Sequence, residues 1–452
     1  MTDPHTDGLN GPRRYLAVAV LLATLVLVVL DTVIANIALP SIAASFHARE
    51  SDVVWVVSGY QLAVLVALLP CGALGEKFGP RRVYLGGVAL FIAASAACAF
   101  SVSLPMLIAA RFIQGLGGGA IMALAIMNLR FAVPQRLLGM IIGVNAMTVA
   151  VSSAAGPGIA GAILAVAHWP WLFAVNLPIG VVVLLCGGAL MKTQGVPRRL
   201  NLFAILINAL MFVLFFCGAD QLTRAPMIGA GLILAAVLSL VCLLRLERGK
   251  AAPLFPVDLF AEPAFRIAVI ASVCCFTGQM LSFVALPFYL QHNLHMSPTK
   301  AGLYMMPWPA AVAIIAPISG RLAGRIRTAW LCGAGGVLLA AGLALIAFGP
   351  ADGRIVVFLI GSVIAGLGFG LFQTPNNRVL LLSAPKARSG AAGAMQGTAR
   401  LTGQTFGSIL MSITFGLMPL LAAPKFALGV AAAFAGLAAV ISLTRGRYEV
   451  RE

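Results

Sequence analysis

The sequence predicts an all-α integral membrane protein of fourteen transmembrane helices, arranged as two six-helix bundles with two additional helices between them. Three observations carry this: the apolar content, the sidedness of the charge, and an internal repeat. Of the 452 residues, 61% are hydrophobic and 10% charged, at a mean hydropathy of +1.02. A soluble domain carries about 25% charged residues, so most of this chain is built to meet lipid. Apolar stretches of spanning length recur from end to end and leave no room for a soluble domain.

The elements follow in order. A polar tail, residues 1–14, precedes the first span without a small-residue cleavage site and reads as a retained cytoplasmic tail. Spans are expected at roughly 15–37, 53–75, 83–101, 104–129, 138–164 and 169–191, forming an N-terminal bundle over 15–191. Two further spans, roughly 200–217 and 227–244, fill the additional segment 192–244. A linker over 245–266 holds three prolines and mixed charges, with "PVDLF" as a short interfacial piece. The C-terminal bundle, 267–443, has spans at roughly 267–290, 300–320, 329–348, 355–382, 390–417 and 425–443, followed by a tail over 444–452.

This topology puts 22 of the 30 Lys and Arg on the side of the termini and five opposite, with Arg111, Arg378 and Arg400 inside spans. The positive-inside rule then places both termini in the cytoplasm, and the net charge of +17 needs no nucleic acid to explain it. The eight cysteines fall in apolar spans and read as small buried hydrophobes. His292 and His295 form an HxxH without further ligands nearby, so neither a metal nor a cofactor is expected.

The halves repeat. At an offset of 251 residues, Gly115, Gly117 and Gly119 of "GLGGG" meet Gly366, Gly368 and Gly370 of "GLGFG", Gly139 meets Gly390, and Gly156 meets Gly407. The loop "GALGEKFGPRR" (72–82) has a worn counterpart, "GRLAGRIR" (320–327), at an offset of 248. Duplication explains this register better than chance. The glycine motifs lie inside apolar helices with no preceding strand, so they read as close helix contacts rather than nucleotide loops.

Chemistry rests on a short acidic inventory. Among thirteen Asp and Glu, Asp31 alone lies deep in a span, and Asp220 caps the end of the seventh. A carboxylate at such depth is costly unless paired or functional. Desolvation favours its neutral form, so an acid there can take and release a proton. Arg111 is the expected partner, because both residues lie about seven residues from the same face, roughly 10 Å deep. A static pair that only holds the bundle together is the competing reading. Polar and aromatic groups at mid-depth are candidate cavity residues: Tyr60, Gln61, Gln114, Asn145, Gln279, Phe283, Trp308, Gln373, Asn376, Gln396 and Arg400. Met305 and Met306 extend this wall, with ordinary helix packing as the alternative for each. Arg378 is read as snorkelling from a helix end. Nothing resembling a membrane-embedded hydrolase site, such as HExxH, GxSxG or paired deep acids, is present, so the chain is not read as an enzyme.

Together these segments resemble the major facilitator superfamily, in its fourteen-span drug:proton antiporter branch, over nearly the whole chain. "LDTVIANIALP" resembles the span-1 signature with its acid at Asp31, and "WVVSGYQLA" resembles the opening of span 2. "GALGEKFGPRR" resembles the cytoplasmic gating loop, matching at Gly72, Gly79, Arg81 and Arg82, with Glu76 replacing the usual Asp. "ARFIQGLGGG" places the span-4 arginine and glutamine at Arg111 and Gln114. "GPGIAG" resembles the exporter motif through Gly156, Pro157 and Gly161, and "WPWLFAVNLPIG" resembles WRWxFxxNxPxG with Pro170 in place of Arg. The resemblance implies the major facilitator fold and proton-coupled export of small hydrophobic or monocationic drug-like compounds by alternating access from a bacterial inner membrane. Symport or export of one metabolite on the same fold is the alternative. The short loop "PLLAAPK" and the lack of a second deep acid disfavour divalent cations. The expected partners are a small-molecule substrate, protons and the lipid bilayer; no motif speaks to a periplasmic adaptor.

Overall fold

The computed structural model describes residues 9, 11–192, 201–222, 225–247, 257–323, 325–349, 354–383 and 389–447. Most of the N-terminal tail, much of the linker and the C-terminal tail from 448 lie outside these residues. The helices in chain order are α1 (Gly11–Phe46), α2 (Glu50–Val53), α3 (Trp55–Phe78), α4 (Pro80–Ala99), α5 (Leu104–Ala132), α6 (Gln135–Val166), α7 (Pro170–Ala174), α8 (Asn176–Cys186), α9 (Leu202–Gln221) and α10 (Pro226–Glu247). The order continues with α11 (Pro263–Phe288), α12 (Pro298–Met305), α13 (Pro307–Leu322), α14 (Thr328–Phe348), α15 (Arg354–Leu382), α16 (Ser389–Leu417) and α17 (Ala423–Thr444).

Thirteen of the helical passages are long and apolar enough to cross a membrane. The one remaining expected span, 390–417, coincides with α16, whose 29 residues exceed the length a bilayer requires. It is more polar than the others because Thr398, Thr405, Ser408 and Ser412 are buried inside the protein, where each finds its surroundings in other helices rather than lipid. Two expected spans are broken. The sixth is split into α7 and α8, and the tenth into α12 and α13, where Pro307 follows Met306. The first span is longer than hydropathy alone suggests, since Pro40 is accommodated within α1 and the helix continues to Phe46.

Helices α1, α3, α4, α5, α6 and α8 pack among themselves, as do α11 and α13–α17. The repeat is visible atom by atom. A methyl added to Gly115 would meet the carbonyl of Tyr60 and the Cβ of Ala63, and one added to Gly366 would meet the carbonyl of Trp308 and the Cβ of Ala311. Gly117 lies against Gly87 and Phe91 as Gly368 lies against Gly335 and Leu339, and Gly119 faces Val64 as Gly370 faces Val312. Each partner pair is 248 residues apart while the glycines are 251 apart, so α3, α4 and α5 recur as α13, α14 and α15. These glycines are required for close approach: backbones meet where a side chain would stand.

Leu9 N donates to Ala132 O, 3.1 Å, and Arg13 Nε donates to Ala189 O, 3.1 Å, so the start of α1 and the ends of α5 and α8 share one side, the near side. On the far side Gln291 Nε2, past the end of α11, donates to Ile37 O at 3.3 Å. There α6 packs on α12 and α13, and α16 on α2. α9 and α10 form their own pair, interlocked where Gly218 meets Gly229, and α9 leans on α3 and α16. Most of α10 faces outward, with large apolar side chains such as Met227 and Leu234 exposed.

Candidate functional site

α1 runs through Asp31 without a break. Its polar neighbours donate within the helix: Thr32 Oγ1 to Val28 O (2.9 Å), and Asn36 Nδ2 to Thr32 O (2.9 Å). Asp31, 1% exposed, draws its donors from other helices. Arg111 Nη1, on α5, donates to Asp31 Oδ2 at 2.5 Å. Gln114 Nε2, one turn further along, donates to Oδ1 at 2.9 Å, and Asn176 Nδ2, at the start of α8, donates to the same oxygen at 2.7 Å. Gln114 also accepts from Arg111 Nη1 at 2.5 Å and donates to Ser95 Oγ of α4 at 2.8 Å.

The arginine has further contacts, although its Nη2 finds no hydrogen-bond partner among the described residues. Its Nε donates to Val56 O at 3.1 Å, and its guanidinium lies 4.2 Å above the Tyr60 ring and 5.3 Å from that of Phe173. Gly115 permits this geometry: by letting α5 touch the Tyr60 carbonyl, it lowers the preceding turn onto α3. The result is an ion pair removed from water, in which the carboxylate accepts three hydrogen bonds. Neither Asn176 nor Ser95 follows from scarcity or depth of charge in the sequence. The signal available for Asn176 was its match to the Asn of the WRWxFxxNxPxG motif, while Ser95 carries no motif signal.

The other candidate residues take different places. Gln114 is part of the acid cluster. Gln61 bridges the halves, with Nε2 3.3 Å from Met280 Sδ on α11 and Oε1 accepting from Ser408 Oγ on α16 at 3.2 Å. Asn376 is consumed by the framework: it donates to Ala268 O and Ser272 Oγ and accepts from Arg445 Nη1 at 2.9 Å, tying α15 to α11 and to the end of α17. Gln279 and Trp308 are buried, Phe283 is half-buried with its ring 5.1 Å from that of Trp308, and Asn145, Gln373 and Gln396 are half-buried. Arg400 is half-buried on the stripe of α16 that includes Gly397, against Leu68 of α3, and Ser408, bonded to Gln61. It makes no hydrogen bond or ion pair among the described residues. Arg378 is exposed.

In the gating loop, Gly79 joins α3 to α4 with φ of +91°, a conformation suited to glycine. Glu76 and Arg82 are exposed, Gly72 and Arg81 half-buried. In the exporter motif, a methyl at Gly156 would stand 2.7 Å from Val33 Cγ1 on α1, two residues from Asp31. One turn on, Gly161 lies against the Thr299 backbone of α12 and accepts from Thr299 Oγ1 at 3.0 Å, while Gly302 packs on the Pro157 carbonyl. Asp220, expected at a helix end, is there but buried, accepting from Ser412 Oγ at 2.8 Å; that hydroxyl also reaches Ser51 O at 2.8 Å.

The family model described as the Major Facilitator Superfamily matches residues 21–408. The chain belongs to the major facilitator superfamily. It is therefore a multi-pass membrane transporter of small molecules rather than an enzyme, and its helices take the fold of that superfamily. Three relatives define its neighbourhood. It is 41% identical to "Uncharacterized transporter YebQ" of Escherichia coli over 91% of this chain and 92% of the relative. It is 30% identical to the "Tetracenomycin C resistance and export protein" of Streptomyces glaucescens over 90% and 77%. It is 31% identical to the "Riboflavin transporter RibZ" of Clostridioides difficile over 85% of both. The one named for resistance and export agrees with the drug-efflux branch of the superfamily that the motifs resemble.

Proposed function

We propose that this transporter is a proton-coupled exporter of small hydrophobic or monocationic compounds, working by alternating access across a bacterial inner membrane with both termini in the cytoplasm. In this reading the chain crosses fourteen times, α16 included, with bundles at 15–191 and 267–443 and an additional pair over 192–244. The observation that carries it is the buried Asp31–Arg111 pair, built from donors on α5 and α8. Protonation of Asp31 cancels the charge that holds Arg111, Gln114 and Asn176 in place.

Neighbouring contacts supply a route from that event to the gate. Leu30 and Val33 flank Asp31 and pack on Gly156, while Pro157 and Gly161 seal α6 against Gly302 and Thr299 of the other half. A change in how α1 sits is thereby felt at the far-side seam. The contacts named between the halves run from that seam, through Gln61, to the meeting of Gly397 with Leu68, while Glu76, Phe78 and Arg82 of the near-side loop are exposed. This arrangement fits a conformation closed on the far side. The relative named for export of an antibiotic favours the efflux direction, and the one named for riboflavin favours a metabolite as the alternative cargo.

The test uses proteoliposomes loaded with a pH dye and a panel of drug-like compounds. Wild type is expected to release protons on addition of a substrate, and Asp31→Asn, alone or combined with Arg111→Met, is expected to lose substrate-dependent proton movement. Proton release that persists in the double variant rejects Asp31 as the coupling group.

A further inference from the structure

The repeat gives the acid cluster a counterpart in the second half, and that counterpart carries no charge. With the offset of 248 that relates α3 to α13 and the offset of 251 that relates α5 to α15, Asp31 corresponds to Gln279, Tyr60 to Trp308 and Arg111 to Ser362. The correspondence is structural as well as numerical: the glycine contacts around Tyr60 are reproduced around Trp308, and Gly156 meets Val33 of α1 as Gly407 meets Leu281 of α11, 248 residues on. Of the three first-half residues, Asp31 is fully engaged, while Arg111 Nη2 and the Tyr60 hydroxyl stay open. At the corresponding second-half positions Gln279 Oε1, Trp308 Nε1 and Ser362 Oγ all lack a partner among the described residues, although the residues are only 8%, 2% and 1% exposed.

Three buried polar atoms without partners, at the three positions that correspond to the charged cluster, call for an explanation, since each costs about 1–3 kcal/mol of desolvation when unpaired. The surroundings supply it. Phe283, one turn from Gln279 on α11, places its ring 5.1 Å from the Trp308 indole, making an aromatic wall beside the polar atoms. Met280, next to Gln279, touches Gln61 of the opposite half, so this point of α11 lies at the seam between the halves.

The geometry points to a neutral hydrogen-bonding subsite, formed by Gln279, Trp308 and Ser362 against Phe283, that takes an uncharged planar aromatic compound carrying a carbonyl beside an N–H or O–H donor. The indole N–H donates to the ligand carbonyl, Gln279 Oε1 accepts from the adjacent donor, and the Ser362 hydroxyl serves either role. These residues offer no counter-ion, and a cation would leave the Trp308 N–H donor unmet, whereas a ligand with paired donor and acceptor satisfies both kinds of group the protein leaves open. The inference deepens the export reading and rests on it for the direction of transport, but binding does not depend on coupling.

The experiment is equilibrium binding to the full-length protein in nanodiscs, read by fluorescence, with riboflavin and lumichrome as neutral probes bearing an imide edge. Wild type is expected to bind at least one. Gln279→Leu, Trp308→Phe and Ser362→Ala are each expected to weaken that binding about tenfold. The melting temperature of the ligand-free protein should hold or rise in Gln279→Leu and Ser362→Ala, because neither loses an internal partner. Absence of binding of both probes to wild type, binding indifferent to all three substitutions, or a fall in ligand-free stability in Gln279→Leu and Ser362→Ala overturns the proposal. Tight, substitution-sensitive binding without substrate-driven proton release supports the subsite and instead removes the proton-coupled reading.

Discussion

Removing either charge of the buried pair is expected to give unequal costs, and the inequality follows from the contacts. In Asp31→Asn, Arg111 remains charged, because a guanidinium does not deprotonate in a protein. It retains Gln114 Oε1 and Val56 O as acceptors but no counter-ion, and breaking a buried pair this way costs about 3–5 kcal/mol. In Arg111→Met, the carboxyl keeps the Gln114 and Asn176 amides at 2.9 and 2.7 Å and can shed its charge by taking a proton, so the expected loss is about 1–3 kcal/mol. With both substitutions no buried charge is left, and replacement of a buried pair by neutral groups is often close to neutral. The double variant should therefore be more stable than Asp31→Asn alone. The assay is a denaturation series on the purified protein in one detergent, analysed as a double-mutant cycle. Single effects that add within about 0.5 kcal/mol, or an Arg111→Met loss as large as that of Asp31→Asn, would refute the reasoning.

Two further outcomes test the packing. Gly117→Val should abolish the monodisperse peak in size-exclusion chromatography, since even a methyl there would stand 2.7 Å from both Gly87 O and Phe91 N, whereas Gly72→Ala, with nothing within 4 Å, should leave it unchanged. Gly161→Val should part α6 from α12, because a Cβ would stand 2.9 Å from the Thr299 carbonyl; in a cysteine-free background, a single cysteine introduced at Val33 should then react faster with a membrane-impermeant thiol reagent, and an unchanged rate counts against a far-side seal at this seam.

Much of the helix plan was legible in the sequence because lipid imposes one rule on every outward face, and runs of apolar residues report it directly. The departures occur where that rule stops applying. α16 is buried by its neighbours and so tolerates a polar stripe, and Pro307 breaks a helix whose composition is otherwise continuous. At the site, Asp31 and Arg111 were readable as a pair by scarcity and depth, since few deep charges exist to choose among. Asn376 illustrates the converse: its depth suggests a cavity, but its amide is taken up by Arg445, Ser272 and Ala268, a choice that depends on which way a helix faces. Periodicity does not report facing in helices that are apolar all round.

By itself the sequence determined that this is a polytopic membrane protein, which acid lies alone in its core, and that the chain repeats. These follow from composition, counting and register, all one-dimensional properties. Only the tertiary structure decided that Asn176 and Gln114 complete the shell of Asp31, that the exporter motif links α1 to α12, and that Gln279, Trp308 and Ser362 keep the place of the charged cluster without its charges. Hydrogen bonds and close contacts between helices depend on rotation about each helix axis, which is set by neighbours far away in the chain.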